Sequence, residues 1–163
     1  MAKTYRLTPG TRAANALIRA LLRAGVGPGF MRLLTVTGRR TGQPRTLPVV
    51  PVRDGGDTWL VSPYGEVSWV RNVRAATILT LRRGRTVETF RATEVGREEA
   101  VPILRRYLRS KGAGDHVRPY FDVTPESSDG EIAAEAPRHP VFALHPVDAA
   151  DATGADPGAA AQP

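Results

Sequence analysis

The sequence predicts an α+β protein that is mainly β: a small antiparallel barrel with flanking helices. Three observations predict it. Five or six short runs of bulky and β-branched residues are separated by glycine-rich turns, the pattern of short strands. Most of these runs follow one another as hairpins, so the strands pair antiparallel, and closing so small a sheet removes its exposed edges. The 163 residues, 41 % apolar and 24 % charged, suit a single core and neither a disordered nor a fibrous chain.

Each element has a local cause. From Pro9 to Ala24, Ala14, Leu17, Ile18, Leu21 and Leu22 recur at helical spacing, with Arg12, Arg19 and Arg23 on the opposite side. Packing on the barrel is expected to bury Leu17, Ile18 and Leu21; the alternative is that this basic amphipathic helix lies on anionic lipid. Gly25, Gly27, Pro28 and Gly29 stop the helix, and Phe30 to Thr37 reads as a buried strand. Thr46 to Arg53 is a second strand, Asp54-Gly55-Gly56 a hairpin turn, and Thr58 to Ser62 a third strand. Val67, Val70 and Val73 mark a short helix over Glu66 to Ala76. Thr77 to Leu81 and Val87 to Val95 form a second hairpin about Arg83-Gly84-Arg85. Arg97 to Arg109 is a helix with Glu98 and Glu99 in its first turn, where the dipole favours acids, and Pro102 is expected near that turn. Val141 to Leu144 is a last strand. The expected organisation is an amphipathic helix over 1–27, a barrel domain over 28–147 and a disordered tail over 148–163, which has no large apolar side chain beyond Val147.

Composition excludes several chemistries. Without cysteine there is no disulfide framework, thiolate metal site or cysteine nucleophile. No apolar run approaches the roughly eighteen residues of a membrane span, and no secretory signal is visible, so a cytoplasmic protein is expected, at most peripheral to the inner membrane face. His116, His139 and His145 show no metal-ligand spacing, and no Gly-x-Ser-x-Gly elbow is present. Asp115-His116 offers an acid or base, or an ordinary solvated loop histidine.

Charge is polarised along the chain. Residues 1–85 carry fifteen basic side chains against three acids, a net +12, and residues 86–163 a net −5. Twenty-one of the 23 basic residues are arginine, which suits forked recognition of phosphate or carboxylate and equally the codon bias of a GC-rich genome. The densest cluster is Thr37-Gly38-Arg39-Arg40-Thr41-Gly42-Gln43-Pro44-Arg45. Two glycines, two threonine hydroxyls and three arginines there make either an anion cradle or a solvated turn, and neither nucleotide-binding fingerprint fits it. A second cluster is Ser62-Pro63-Tyr64-Gly65 followed by Trp69, Arg71 and Asn72. Two aromatics with an arginine can sandwich a planar ring, or Trp69 can simply anchor the core.

Together these residues resemble the deazaflavin-dependent nitroreductase family, small actinobacterial proteins with a split β-barrel related to the FMN-binding, pyridoxine-phosphate-oxidase-like fold. The likeness lies in LLTVTGRRTGQPRTLPVVPVRDGG, WLVSPYG and WVRN, spanning about Leu33 to Val95. The resemblance implies binding of reduced coenzyme F-420, whose phosphate and polyglutamate tail suits the charge map. It implies that Arg39, Arg40, Thr41 and Arg45 lie along that tail. Thr46, Leu47, Pro48, Val49 and Val50, with Val61, Ser62, Pro63 and Tyr64, would follow the ribityl chain and ring. Ser68, Trp69, Val70, Arg71 and Asn72 would flank the tail again.

The implied reaction is hydride transfer to a quinone, enone or nitro-type acceptor, with the protein orienting the two partners. Tyr64 and Tyr120 are the candidate proton donors. The nitroreductase members carry a serine and a tyrosine facing substrate where this chain has Pro63 and Val50. The segment from Arg109 to Arg138, with His116, Tyr120 and Phe121, is expected to close the acceptor pocket. An FMN-binding oxidoreductase of the same barrel is the first alternative, against which the extra arginines Arg39 and Arg40 weigh. A nucleic-acid-binding barrel is the second, disfavoured by only 6 % aromatic residues. No metal is expected, the partner is a small-molecule electron acceptor, and the chain is a monomer or a homodimer.

Overall fold

The computed structural model describes residues 9–110 and 114–148, with side chains from 16 and, after the gap, from 116. The disordered tail expected over 148–163 lies, from residue 149 on, outside the described residues, as do residues 1–8.

One seven-stranded antiparallel sheet carries the fold, in the order β2-β1-β5-β6-β7-β4-β3. Its strands are β1 (Arg32–Thr37), β2 (Pro44–Val49), β3 (Val52–Asp54), β4 (Asp57–Val61), β5 (Ile78–Arg83), β6 (Thr86–Glu94) and β7 (Val141–Pro146). The helices are α1 (Pro9–Arg23), α2 (Ser68–Ala76), α3 (Arg97–Arg109), α4 (Gly114–Val117) and α5 (Asp129–Glu135), with 3-10 turns at Arg118–Tyr120 and Ala136–Arg138.

The single strand expected over Thr46 to Arg53 is in fact two. Val50 and Pro51 break it, because Pro51 has no N–H to give to a ladder, and β2 and β3 go to opposite edges of the sheet. Three Cα–Cα steps join Val49 to Val52, so these two edges lie within about 11 Å of each other. That tether curls the sheet into a half-barrel, in keeping with the small antiparallel split barrel expected, with β2 and β3 left as its two edges. Pro44 and Pro48 are tolerated in β2 because it pairs only with β1, Leu34 opposite Leu47 and Thr35 opposite Thr46.

Alternation along the strands feeds two cores. Leu34, Val36, Leu60, Leu79, Leu81, Phe90 and Phe142 pack with Trp69, Val70 and Val73 of α2, which plugs one end of the barrel. Val52, Val61 and Val141 meet α3 and α5 through Leu104, Leu108 and Ile132. Fully burying a Leu or Ile side chain contributes about 1.5–3 kcal/mol, so these two clusters hold the curl.

Three local expectations change. Leu22 is buried and Ile18 partly so, but Leu17 and Leu21 are 63 % and 41 % exposed, so α1 does not bury the stripe assigned to it. Pro102 is the sixth residue of α3, in its second turn, on the solvent side, where water can take the Glu98 carbonyl that loses its helical donor. Helix α5 is additional: the Ser128 hydroxyl accepts from the Glu131 amide and the Glu131 carboxylate from the Ser128 amide, a capping box.

Candidate functional site

The loop between β1 and β2 is built by glycine and closed on itself. The Gly38 amide donates to the Gln43 carbonyl (2.8 Å) and the Gly42 amide to the Gly38 carbonyl (2.8 Å). A Cβ at Gly38 would sit 3.0 Å from the Gln43 carbonyl oxygen and 3.1 Å from Thr41 Oγ1, so the tight turn needs the missing side chain. Gly42 has φ +65°, which glycine adopts without strain.

Asn72 fixes this loop against α2. Its side chain is buried, and Oδ1 accepts from the Arg39 amide (3.3 Å) and the Arg39 guanidinium (3.0 Å). Arg40 and Arg45 are exposed, and among the described residues the Arg45 guanidinium reaches only the Thr41 hydroxyl, at 3.4 Å. Among the described residues none of Arg39, Arg40 and Arg45 meets a carboxylate. By contrast Arg74, next to the same helix end, is held by Glu66 and by Glu94 (2.7 Å), and these acids push its already high pKa further up. Arg74 is thus neutralised, whereas the loop presents three uncompensated guanidiniums to solvent, the electrostatics of an anion site.

The second cluster divides by burial. Ser68 and Arg71 face solvent, and Arg71 lies 3.9 Å from Glu66. Trp69 and Val70 are in the core, with the Trp69 ring 5.9 Å from Phe142, so they act on a ligand only by holding α2 in place. Val61, Ser62 and Pro63 are buried as well; the Ser62 hydroxyl donates to the Gly65 carbonyl (2.6 Å) and shapes the turn that delivers Tyr64. Thr46 through Val50 are half-buried, and Thr46 shares a hydroxyl hydrogen bond of 2.9 Å with Thr35.

Tyr64 and Tyr120 come together, rings edge to face with centroids 4.7 Å apart. Tyr107 lies close by. Burial, and then the neighbouring Tyr64, raise its phenol well above the ordinary tyrosine value.

Sequence reasoning missed a buried network beneath this turn. His139 Nε2 donates to Glu135 Oε1 (3.0 Å), its Nδ1 lies 3.4 Å from the Ser62 carbonyl, and its ring stacks on Phe121 at 3.7 Å. Glu135 also accepts from the Asp122 amide (3.1 Å) and the Arg138 guanidinium (2.9 Å), and Arg138 holds the Asp122 carboxyl below its usual range. The four-residue spacing from Glu135 to His139 was the available signal. His116 is exposed on α4, and no group of acids and histidines that could hold a metal exists among the described residues. Nor is any described helix long and apolar enough to cross a membrane.

Residues 11–119 match the family model described as F420H(2)-dependent quinone reductase. Among solved structures the chain is similar to an F420-H2 dependent reductase (21 % identity, 72 % of this chain and 95 % of that one, TM-score 0.52). It is also similar to a protein described as a domain-swapped dimer (20 % identity, 85 % and 100 % covered, TM-score 0.54). A third is a protein of unknown function from Agrobacterium tumefaciens (14 % identity, 86 % and 57 % covered, TM-score 0.54). No curated protein matches the chain in sequence.

Proposed function

We propose that this chain, which belongs to the F420H(2)-dependent quinone reductase family and is thereby an F-420-dependent oxidoreductase, reduces a quinone, an enone or a nitro-type acceptor. The observation that carries the binding mode is the loop at 38–45, with three guanidiniums that have no carboxylate partner among the described residues and a backbone locked by Asn72. This donor set fits a coenzyme whose tail is a run of phosphate and carboxylates: Arg39, Arg40, Thr41 and Arg45 hold the tail, and Ser68 and Arg71 flank it. When bound, the reduced deazaflavin supplies a hydride.

The chain's own residues orient and exclude. The half-buried face from Thr46 to Val50 and the turn from Val61 to Tyr64 form the wall for the ring, with Trp69, Val70 and Asn72 fixing α2 behind the tail. Reduction of a quinone needs a proton beside the hydride, and the Tyr64 or Tyr120 phenol gives it. The side chains of Pro63 and Val50 offer no hydrogen-bond donor to a nitro group, which favours quinones and enones over nitro compounds. Leu17 and Leu21 are exposed on the side of α1 opposite Arg19 and Arg23, an amphipathic surface suited to peripheral contact with anionic lipid.

Titration with coenzyme F-420 beside FMN, at low and high salt, tests the reading. The expected result is salt-sensitive deazaflavin binding that weakens in Arg45→Ala. Binding of FMN alone moves the chain to a flavin enzyme, and binding of neither, with retention on nucleic acid, overturns the reductase reading.

A further inference from the structure

The opposite end of β1, about 17 Å from the loop at 38–43, carries a second concentration of positive charge. Arg32, Arg53 and Arg83 line a recess of about 410 Å³ that contains, among the described residues, one carboxylate, Glu88. Of the described cations Arg53 alone bonds to it, at 2.7 Å. Arg32 donates to the carbonyls of Gly29 (2.7 Å) and Met31 (2.9 Å), and Arg83 to those of Gly27 (3.1 Å) and Pro28 (3.4 Å). Carbonyl dipoles do not cancel charge, so three cations share one anion. The Arg32 guanidinium registers the excess: burial first, then Arg53 and Arg83, hold it below its ordinary pKa.

Arg32 and Arg53 are also one wall of an adjoining cleft of about 1030 Å³ with an apolar floor of Phe30, Val50 and Pro51. Phe30 is 47 % exposed there, unusual for so large an apolar ring. Tyr107 lies at the cleft's inner edge, next to Tyr64. On the far rim Arg109 meets no carboxylate among the described residues. A volume of this size suits a small molecule, and its walls combine a flat apolar surface with an anion anchor.

We propose that this cleft takes the electron acceptor and that the acceptor is an amphiphilic anion, a conjugated ring lying on Phe30, Val50 and Pro51 with its carboxylate, sulfonate or phosphate on Arg32 and Arg53. The acceptor role rests on the reductase reading above, whereas the anion site stands on the cleft itself. The cleft meets the proposed ring wall at Val50, and through Tyr107 it adjoins Tyr64.

Calorimetric titration without coenzyme separates the two claims, using 1,4-naphthoquinone-2-sulfonate and its uncharged counterpart 2-methyl-1,4-naphthoquinone. The sulfonate is expected to bind about tenfold more tightly at low salt, the margin that a charge-assisted contact supplies, and to lose this margin at high salt. Arg32→Gln is expected to abolish the margin. Should Arg32→Gln fail to fold, Glu88→Gln tests the same point from the other side, since removing the lone carboxylate must tighten the sulfonate several-fold. Equal affinity for the two quinones, or a sulfonate affinity unmoved in both variants, overturns the proposal. Competition between coenzyme F-420 and the sulfonate also overturns it, because the cleft then holds the coenzyme tail. Arginine-dependent sulfonate binding by a chain that binds no deazaflavin supports the anion site and overturns the acceptor role alone.

Discussion

Asn72 Oδ1 accepts two hydrogen bonds from one residue 33 positions away, the Arg39 amide and the Arg39 guanidinium. A buried amide on α2 thereby sets both the path of the loop and the direction of its first arginine. Asn72→Ala leaves the Arg39 amide without its partner and a polar-sized hole, an expected loss of about 1–3 kcal/mol. Thermal melting should show this loss, and deazaflavin titration should show weaker binding even though Asn72 carries no charge.

Two glycines four positions apart should behave differently. At Gly38 an added Cβ meets backbone, the Gln43 carbonyl oxygen at 3.0 Å, so Gly38→Ala must reopen the turn and scatter Arg39, Arg40 and Arg45. At Gly42 a Cβ meets nothing within 4 Å and the cost is the left-handed φ alone, about 1–2 kcal/mol. The expected outcome is loss of coenzyme affinity in Gly38→Ala and a modest drop in melting temperature, with affinity largely kept, in Gly42→Ala.

What the sequence revealed follows the range of the interactions involved. The Asp54-Gly55-Gly56 turn and helix α3 are local and were legible to within a residue or two. The break at Val50-Pro51 was not, because a run of Pro and Val reads as one strand until closure of the sheet sends its halves to opposite edges. Helix α5 was readable from Ser128 and Glu131, a capping box with few apolar residues after it. The arginine loop and the turn at 62–65 were legible from residue type. The contacts that fix them were not: Arg39 with Asn72, and His139 with the Ser62 carbonyl 77 positions away, exist only in the folded chain.

The His139 network gives stability a pH dependence of definite sign. Burial, outweighing the help of Glu135, lowers the His139 pKa below its ordinary value of 6.5. Between that lowered value and 6.5 the unfolded chain binds more protons than the folded one, so stability rises with pH across this window. Acidification from pH 7.5 should therefore lower the melting temperature once pH falls below about 6.5. His139→Gln, which retains a donor for Glu135, should flatten this part of the profile.

Leu17 and Leu21 are exposed on α1, so polar replacements there cost little folding energy, within about 0.5 kcal/mol. If the helix meets lipid, the pair Leu17→Ser and Leu21→Ser should remain folded and lose cosedimentation with vesicles rich in anionic phospholipid. Unchanged vesicle binding in this double variant would remove the lipid surface from the reading.

Tyr64 and Tyr120 share an edge-to-face contact that phenylalanine would preserve, since the rings and not the hydroxyls make it. Replacing either tyrosine by phenylalanine therefore isolates the phenol. Tyr64 is the more exposed and sits on the turn beside the proposed ring wall. As proton donor, its loss in Tyr64→Phe should lower kcat by about 100-fold, at the lower end of what a positioned acid contributes, with coenzyme affinity unchanged. Tyr120→Phe should lower it far less. A kcat insensitive to both changes would leave solvent as the source of the proton and the two rings as packing partners that shape the pocket.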